Sequence, residues 1–225
     1  MHSWQHAVEQ ILLVVTDKNA RVLSVLGPDR GVGVTLLCQQ IAESSSRSGA
    51  KTLLIDLTRP AVPGGQPGWV PGKDASEFIG TMPGGYSTLV ANPSPATRSL
   101  FNNVESLRRT IEQVLPPYDA LIIDLPPVLD QRDDEINPIA AARASDAVIM
   151  VCVAGRSIEP RVRKAISTLE AAGVQLGGTV LNDRHNPPLG MDVAASLRRK
   201  YRRFLPGSAW LARLAESSDF LNARY

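Results

Sequence analysis

At 225 residues, 44% hydrophobic and 20% charged, the chain suits one large α/β domain with a short appendage, and the composition argues against a disordered protein. A net charge of +2 is too small to signal nucleic acid, and no run approaches the roughly 18 apolar residues of a membrane span. The two cysteines, Cys38 and Cys152, lack metal-ligand spacing and fit a reducing compartment as small buried thiols.

In chain order, a helix over Ser3–Val15 precedes a strand at Val22–Leu26, then a glycine-rich turn and a helix over Val34–Ser48. The apolar stretch Ile11–Val15 is too short for a signal-peptide core and has no basic leader, so the cytoplasm is the expected location. A strand at Thr52–Asp56 follows. Prolines and glycines then crowd Ala61–Gly85, a density that argues for a surface excursion without long regular elements. Beyond it come a strand at Ser87–Val90, a helix over Thr97–Leu115, a strand at Ala120–Asp124 and a helix over Glu135–Ala144. Ala147–Val153 reads as a buried strand, Glu159–Ala172 as a helix closed by Gly173, and Gln175–Leu181 as a last strand. Helices at Asp192–Phe204 and Ala209–Leu221 complete the pattern. This alternation predicts an α/β fold, a three-layer sandwich around a mostly parallel sheet of about six to eight strands. The domain is expected to span residues 1–190, with a basic amphipathic extension over 191–225 that carries Arg198, Arg199, Lys200, Arg202 and Arg203.

Three strand ends carry the chemistry, because ligands of open α/β sheets bind beyond the carboxyl ends of strands. The first is Gly27-Pro-Asp-Arg-Gly-Val-Gly-Val-Thr35, where Gly31, Val32 and Gly33 allow backbone amides to converge at a helix N-terminus. That is the design of a phosphate cradle, and it predicts a P-loop NTPase-type sheet. A working loop ends in Gly-Lys-Ser/Thr, with the lysine on the β and γ phosphates and the hydroxyl on magnesium. Thr35 keeps the hydroxyl, whereas Val34 occupies the lysine position. The second and third strand ends, Asp56 and Asp124, place carboxylates where an ion pair, a metal-bound water or hydrogen-bond donors must offset their burial.

Several segments resemble, in the same order, the cytoplasmic domain of the bacterial tyrosine kinases of capsule and exopolysaccharide synthesis (BY-kinases), within the MinD/ParA group. They are Gly49-Ala-Lys-Thr-Leu-Leu-Ile-Asp56, Tyr118-Asp-Ala-Leu-Ile-Ile-Asp124-Leu-Pro-Pro-Val-Leu129, Asp146–Gly155 and Gly177-Gly-Thr-Val-Leu-Asn182. The resemblance covers residues 4–186. It implies ATP and magnesium as ligands, with Gly31, Gly33 and Thr35 on phosphate and metal, and Asp56 assisting the metal and the acceptor. It also implies Asp124 on magnesium through water and Asn182 near adenine. It further implies a membrane polysaccharide co-polymerase (Wzz-like) as partner at the inner face of the membrane, with homo-oligomers as a second kind of assembly.

The departures reduce that expectation. Opposite charges near 4 Å interact by about 4 kcal/mol at moderate effective dielectric, and valine supplies none of this. Phosphoryl transfer depends mainly on such electrostatic positioning, so ATP binding is expected to be weak or absent and catalysis weak or inactive. Arg30 is the in-loop candidate to substitute, since guanidinium also binds phosphate, against a reading as a solvent-facing loop residue. The upstream lysine of MinD-type loops is replaced by Asp29, the family's Asp-x-Asp is reduced to Asp56-Leu-Thr58 with Arg59 close behind, and a C-terminal tyrosine cluster is absent. The expected role is an accessory or regulator of polysaccharide synthesis and export. An active tyrosine kinase or ATPase and a MinD/ParA-like positioning protein are the alternatives. Trp69 and Trp210 are the expected contact residues of the excursion and the tail, against packing within their own domain.

Overall fold

The computed structural model describes residues 3–17, 19–59, 69–91, 93, 96–183 and 213. Its elements are α1 (Ser3–Asp17), β1 (Val22–Leu26), α2 (Val34–Arg47), β2 (Thr52–Asp56), a 3-10 turn (Ser76–Phe78), β3 (Ile79–Thr81) and β4 (Ser87–Val90). There follow α3 (Arg98–Phe101), α4 (Val104–Val114), β5 (Ala120–Asp124), α5 (Pro138–Arg143), β6 (Ala147–Val153), α6 (Glu159–Ala171) and β7 (Gly178–Asn182). The strands form one seven-stranded sheet in the order β3-β4-β2-β5-β1-β6-β7. Only β3 runs antiparallel, against β4. The expected α/β sandwich with a mostly parallel sheet is therefore present.

Period-two alternation along the strands sorts the core into two halves. Leu53, Ile55, Leu121, Ile123, Val148 and Met150 meet α3 to α6 through Phe101, Leu107, Ile111, Ala165 and Leu169. Leu23, Val25, Leu54, Ile122, Ile149 and Val151 face the other way, onto Val8 and Ile11 of α1 and Leu37, Cys38 and Ile41 of α2. Both faces are thus covered, which is why β6 is buried along its whole length and reads as an unbroken apolar run. The same alternation turns Asp56 and Asp124 toward α2.

The structure adjusts several expected elements. The helix foreseen over Thr97–Leu115 is two, because Asn103 is extended and its side chain accepts a hydrogen bond from the Ser106 N–H, starting α4 afresh. The helix foreseen from Glu135 begins at Pro138, where Asn137 caps it by accepting from the Ile139 N–H and proline fills the first turn. That leaves Glu135 in the preceding loop. The last strand starts at Gly178 rather than Gln175, and β3 forms inside the Pro/Gly-rich excursion as a three-residue edge strand.

Trp69 corrects an expectation. It is 2% exposed, its ring meets Phe101 edge-on at 5.9 Å, and its indole N–H donates to the Lys73 carbonyl at 3.2 Å. It packs within its own domain, the alternative reading for this residue. Trp210 and the two tail helices lie outside the described residues, apart from Arg213 within the second. The described fold lies almost wholly within the unit Met1–Asn182, and Asp183–Tyr225 forms a second unit. Among the described residues no helix is long and apolar enough to cross a membrane.

Candidate functional site

β5 lies between β1 and β2, so the three strand ends singled out by the sequence lie side by side at one end of the sheet. Asp124 is the register partner of Asp56 on one side and of Val25 on the other. From Leu26 the chain turns through Gly27–Gly33 into α2. A side chain at Gly27 would collide with Val32, so glycine is required for the loop to fold back on itself. Gly33 has a φ of 102°, a left-handed conformation that L side chains resist, and it caps α2 with no side-chain hydrogen bond. The first turn of α2 also holds no acidic residue. Its first-turn amide N–H groups therefore have no capping side chain, and the positive end of the helix dipole lies at the glycine loop.

Asp124 is 1% exposed, and neither carboxylate oxygen has a hydrogen-bond partner. Burial pushes its carboxyl up to about 7, with Thr35 pulling it down and the Asp56 charge adding to the rise. The Thr35 hydroxyl therefore lies near enough to favour the ionised form by hydrogen bonding, yet it leaves neither oxygen with a hydrogen bond of normal geometry. A buried carboxylate left in this state is the group that a cation, or water bound to one, would satisfy. Asp56 is better provided for. Its Oδ1 accepts from the Thr58 N–H at 2.9 Å and hydroxyl at 2.7 Å, and its Oδ2 accepts from Arg59 Nε at 3.0 Å.

The loop's own charges are committed elsewhere. Arg30 donates to Glu135 through one terminal nitrogen, which also reaches the Asp130 carbonyl at 2.8 Å. The Glu135 side chain is only 2% exposed and accepts a further bond from the Arg132 N–H at 3.1 Å. Burial alone would raise Glu135, but Arg30 and the Arg132 amide hold its carboxyl below the ordinary range. Arg30 is therefore neither a solvent-facing arginine nor a free phosphate ligand. Asp29 is gripped by Arg161 of α6, whose Nε lies 2.8 and 3.0 Å from its two oxygens. Asn182, expected near adenine, donates to the Val32 carbonyl at 2.9 Å and ties the loop to the end of β7. Val34 packs against the α1/α2 half of the core.

Sequence reasoning missed Glu135 and Arg161. They lie 105 and 132 residues from the loop residues they hold, so no spacing signals them. Taken together, the site offers backbone donors, one hydroxyl and one unsatisfied carboxylate, with no cation at the loop's lysine position.

No family model matches the chain. Tyrosine-protein kinase CpsD of Streptococcus agalactiae serotype III is 29% identical over 181 residues, covering 73% of this chain and 75% of that protein. Tyrosine-protein kinase ptk of Acinetobacter johnsonii is 24% identical over 174 residues, covering 72% of this chain but only 23% of that kinase. Among solved structures, the BceF tyrosine kinase domain superposes with a TM-score of 0.64 at 25% identity, over 80% of this chain and 76% of that one. Cobyrinic acid a,c-diamide synthase from Mycobacterium smegmatis, solved with bound ADP and magnesium, shares the fold with a TM-score of 0.55 at 20% identity, over 88% of this chain and 93% of that one. The chain thus has an α/β fold of the P-loop NTPase type and is similar in sequence to bacterial tyrosine kinases.

Proposed function

We propose that the chain is an accessory or regulator of exopolysaccharide or capsule synthesis and export, acting with a membrane co-polymerase at the inner face of the membrane. On this reading it binds magnesium nucleotide weakly and transfers no phosphate. The kinase names of its relatives and the shared fold support the ancestry. Val34 carries the rest, since a valine packed against the core puts no charge over the cradle.

The residues present suit magnesium better than they suit the nucleotide. Thr35 would bind the ion directly, and Asp124 would hold it through water, which meets the need of its unpartnered oxygens. Among the described residues no three ligating side chains cluster, so phosphate oxygens and water must complete the coordination. Magnesium, when bound, would offset charge between phosphate groups. The chain's own part is to seat the phosphates on the amides of residues 31–35 and on the dipole of α2. An active kinase would need a further cation, and Arg30 is engaged by a buried carboxylate.

Calorimetry with Mg-ATP tests this reading. The natural chain should bind well above the micromolar range. Val34→Lys should bind at least about tenfold more tightly, the scale expected from one charge-assisted contact. Micromolar affinity in the natural chain, or an unchanged affinity in Val34→Lys, would refute the assignment.

A further inference from the structure

The arginines about this end of the sheet differ in how far they are committed. Arg30 is held by Glu135, whose side chain is 2% exposed, and releasing it would strand a buried charge. Arg161 grips both oxygens of Asp29. Arg59 is different. Its side chain is 66% exposed and contacts Asp56 through Nε alone, so its two terminal nitrogens make no hydrogen bond to a described residue. Asp56 is itself fixed by the Thr58 amide and hydroxyl, so the carboxylate holds the arginine by its inner edge and leaves the outer edge for a ligand.

The sheet order sets the reach. Asp56 lies beside Asp124 in register, and Asp124 lies beside Val25, so β2 is two strands from the loop-bearing strand, about 10 Å at ordinary strand spacing. A phosphate chain that left the loop in the direction of Asp124 would run toward β2. We propose that Arg59, held by Asp56, is the guanidinium that meets the outer phosphate of a magnesium nucleotide at this site, supplying the charge that Val34 does not. Guanidinium suits the task, since its remaining N–H groups form a planar fork that matches phosphate oxygens. This rests on the nucleotide-binding reading above and names the residue on which the remaining affinity depends.

The experiment is a titration of the full chain with Mg-ATP and Mg-ADP, with variants checked by circular dichroism. Arg59→Ala should weaken Mg-ATP by about tenfold or more and Mg-ADP by much less, because only the outer phosphate loses its partner. Removing Arg59 also unmasks the Asp56 charge, so Asp56→Asn and Asp56→Asn/Arg59→Ala are compared as a pair. The double variant should still bind Mg-ATP about tenfold more weakly than Asp56→Asn alone. Equal binding by that pair would show that Arg59 merely neutralises Asp56, and equal losses for ATP and ADP would show that it does not meet the outer phosphate. Either result overturns the proposal while leaving nucleotide binding intact. If the natural chain binds neither nucleotide at millimolar concentration, nucleotide binding itself falls and Arg59 with it.

Discussion

A carboxylate enclosed at the end of a buried strand is costly when ionised, and only the Thr35 hydroxyl, short of normal hydrogen-bond geometry, offsets that cost at Asp124. Burial sets its carboxyl at about 7 against an ordinary 3.8, so the folded chain keeps a proton that the unfolded chain releases. Stability should therefore fall as pH rises from about 4 to about 7, then level off, because the native state binds more protons across that window. Asp124→Asn removes the titration. With metal chelated, the variant should be more stable than the natural chain at pH 8 by about 1–4 kcal/mol, an upper range set by about 1.4 kcal/mol per pK unit. The advantage should vanish near pH 4. Urea melts across that range check it, and a gain independent of pH would show that something other than ionisation limits the fold. The acidic strand end was legible in the sequence. Its lack of partners was not, because neighbours on β1, β2 and α2 come from segments far apart in the chain.

At the scale of elements, the glycine loop is held by three neighbours. Arg161 of α6 takes Asp29, Asn182 of β7 takes the Val32 carbonyl, and Glu135 of the β5–α5 connection takes Arg30. Glu135→Gln should destabilise the fold by about 1–3 kcal/mol, below the usual cost of breaking a buried pair because Arg30 is partly solvated. Since Arg30 holds the Glu135 carboxyl below its ordinary range, this stability is present above that range and fades as pH falls through the lowered value. Denaturant melts of Glu135→Gln at neutral and acid pH should converge at the acid end, and parallel curves would argue against the pair. Strand positions were legible because β1, β2, β5 and β6 are apolar runs bounded by turn residues. The split at Asn103 was not, since an Asn within an amphipathic pattern reads equally as helix interior or cap. β3 was hidden because a three-residue edge strand has no periodicity to detect. Its structure depends on pairing with β4.

At the scale of the whole molecule, strand order decides which residues can act together, and the linear sequence does not display that order. β5 inserts between β1 and β2, so Thr35, Asp56 and Asp124 gather at one end of the sheet although 89 residues separate the first from the last by their numbers, 124 minus 35. The same arrangement allows a fold to outlast its chemistry. The sheet needs buried apolar strands and a loop that can curl, while phosphoryl transfer needs a cation over that loop and an acceptor that can approach it. Acceptors are constrained here too. Tyr86 is 7% exposed, and burial raises its phenol above the ordinary range, so it is poorly placed as a phosphate acceptor. Tyr118 is partly buried against the core, and Tyr201 and Tyr225 lie outside the described residues. We therefore expect no phosphotyrosine, Tyr225 included, when the purified full chain is incubated with Mg-ATP. Val34→Lys should improve nucleotide binding without restoring transfer, since the shortened Asp56-Leu-Thr58 motif is unchanged. Mass spectrometry after expression in a host lacking other tyrosine kinases is the measurement. Time-dependent phosphate on Tyr225 of the natural chain would show that the site remains catalytic and that a cation outside the loop has replaced the lysine.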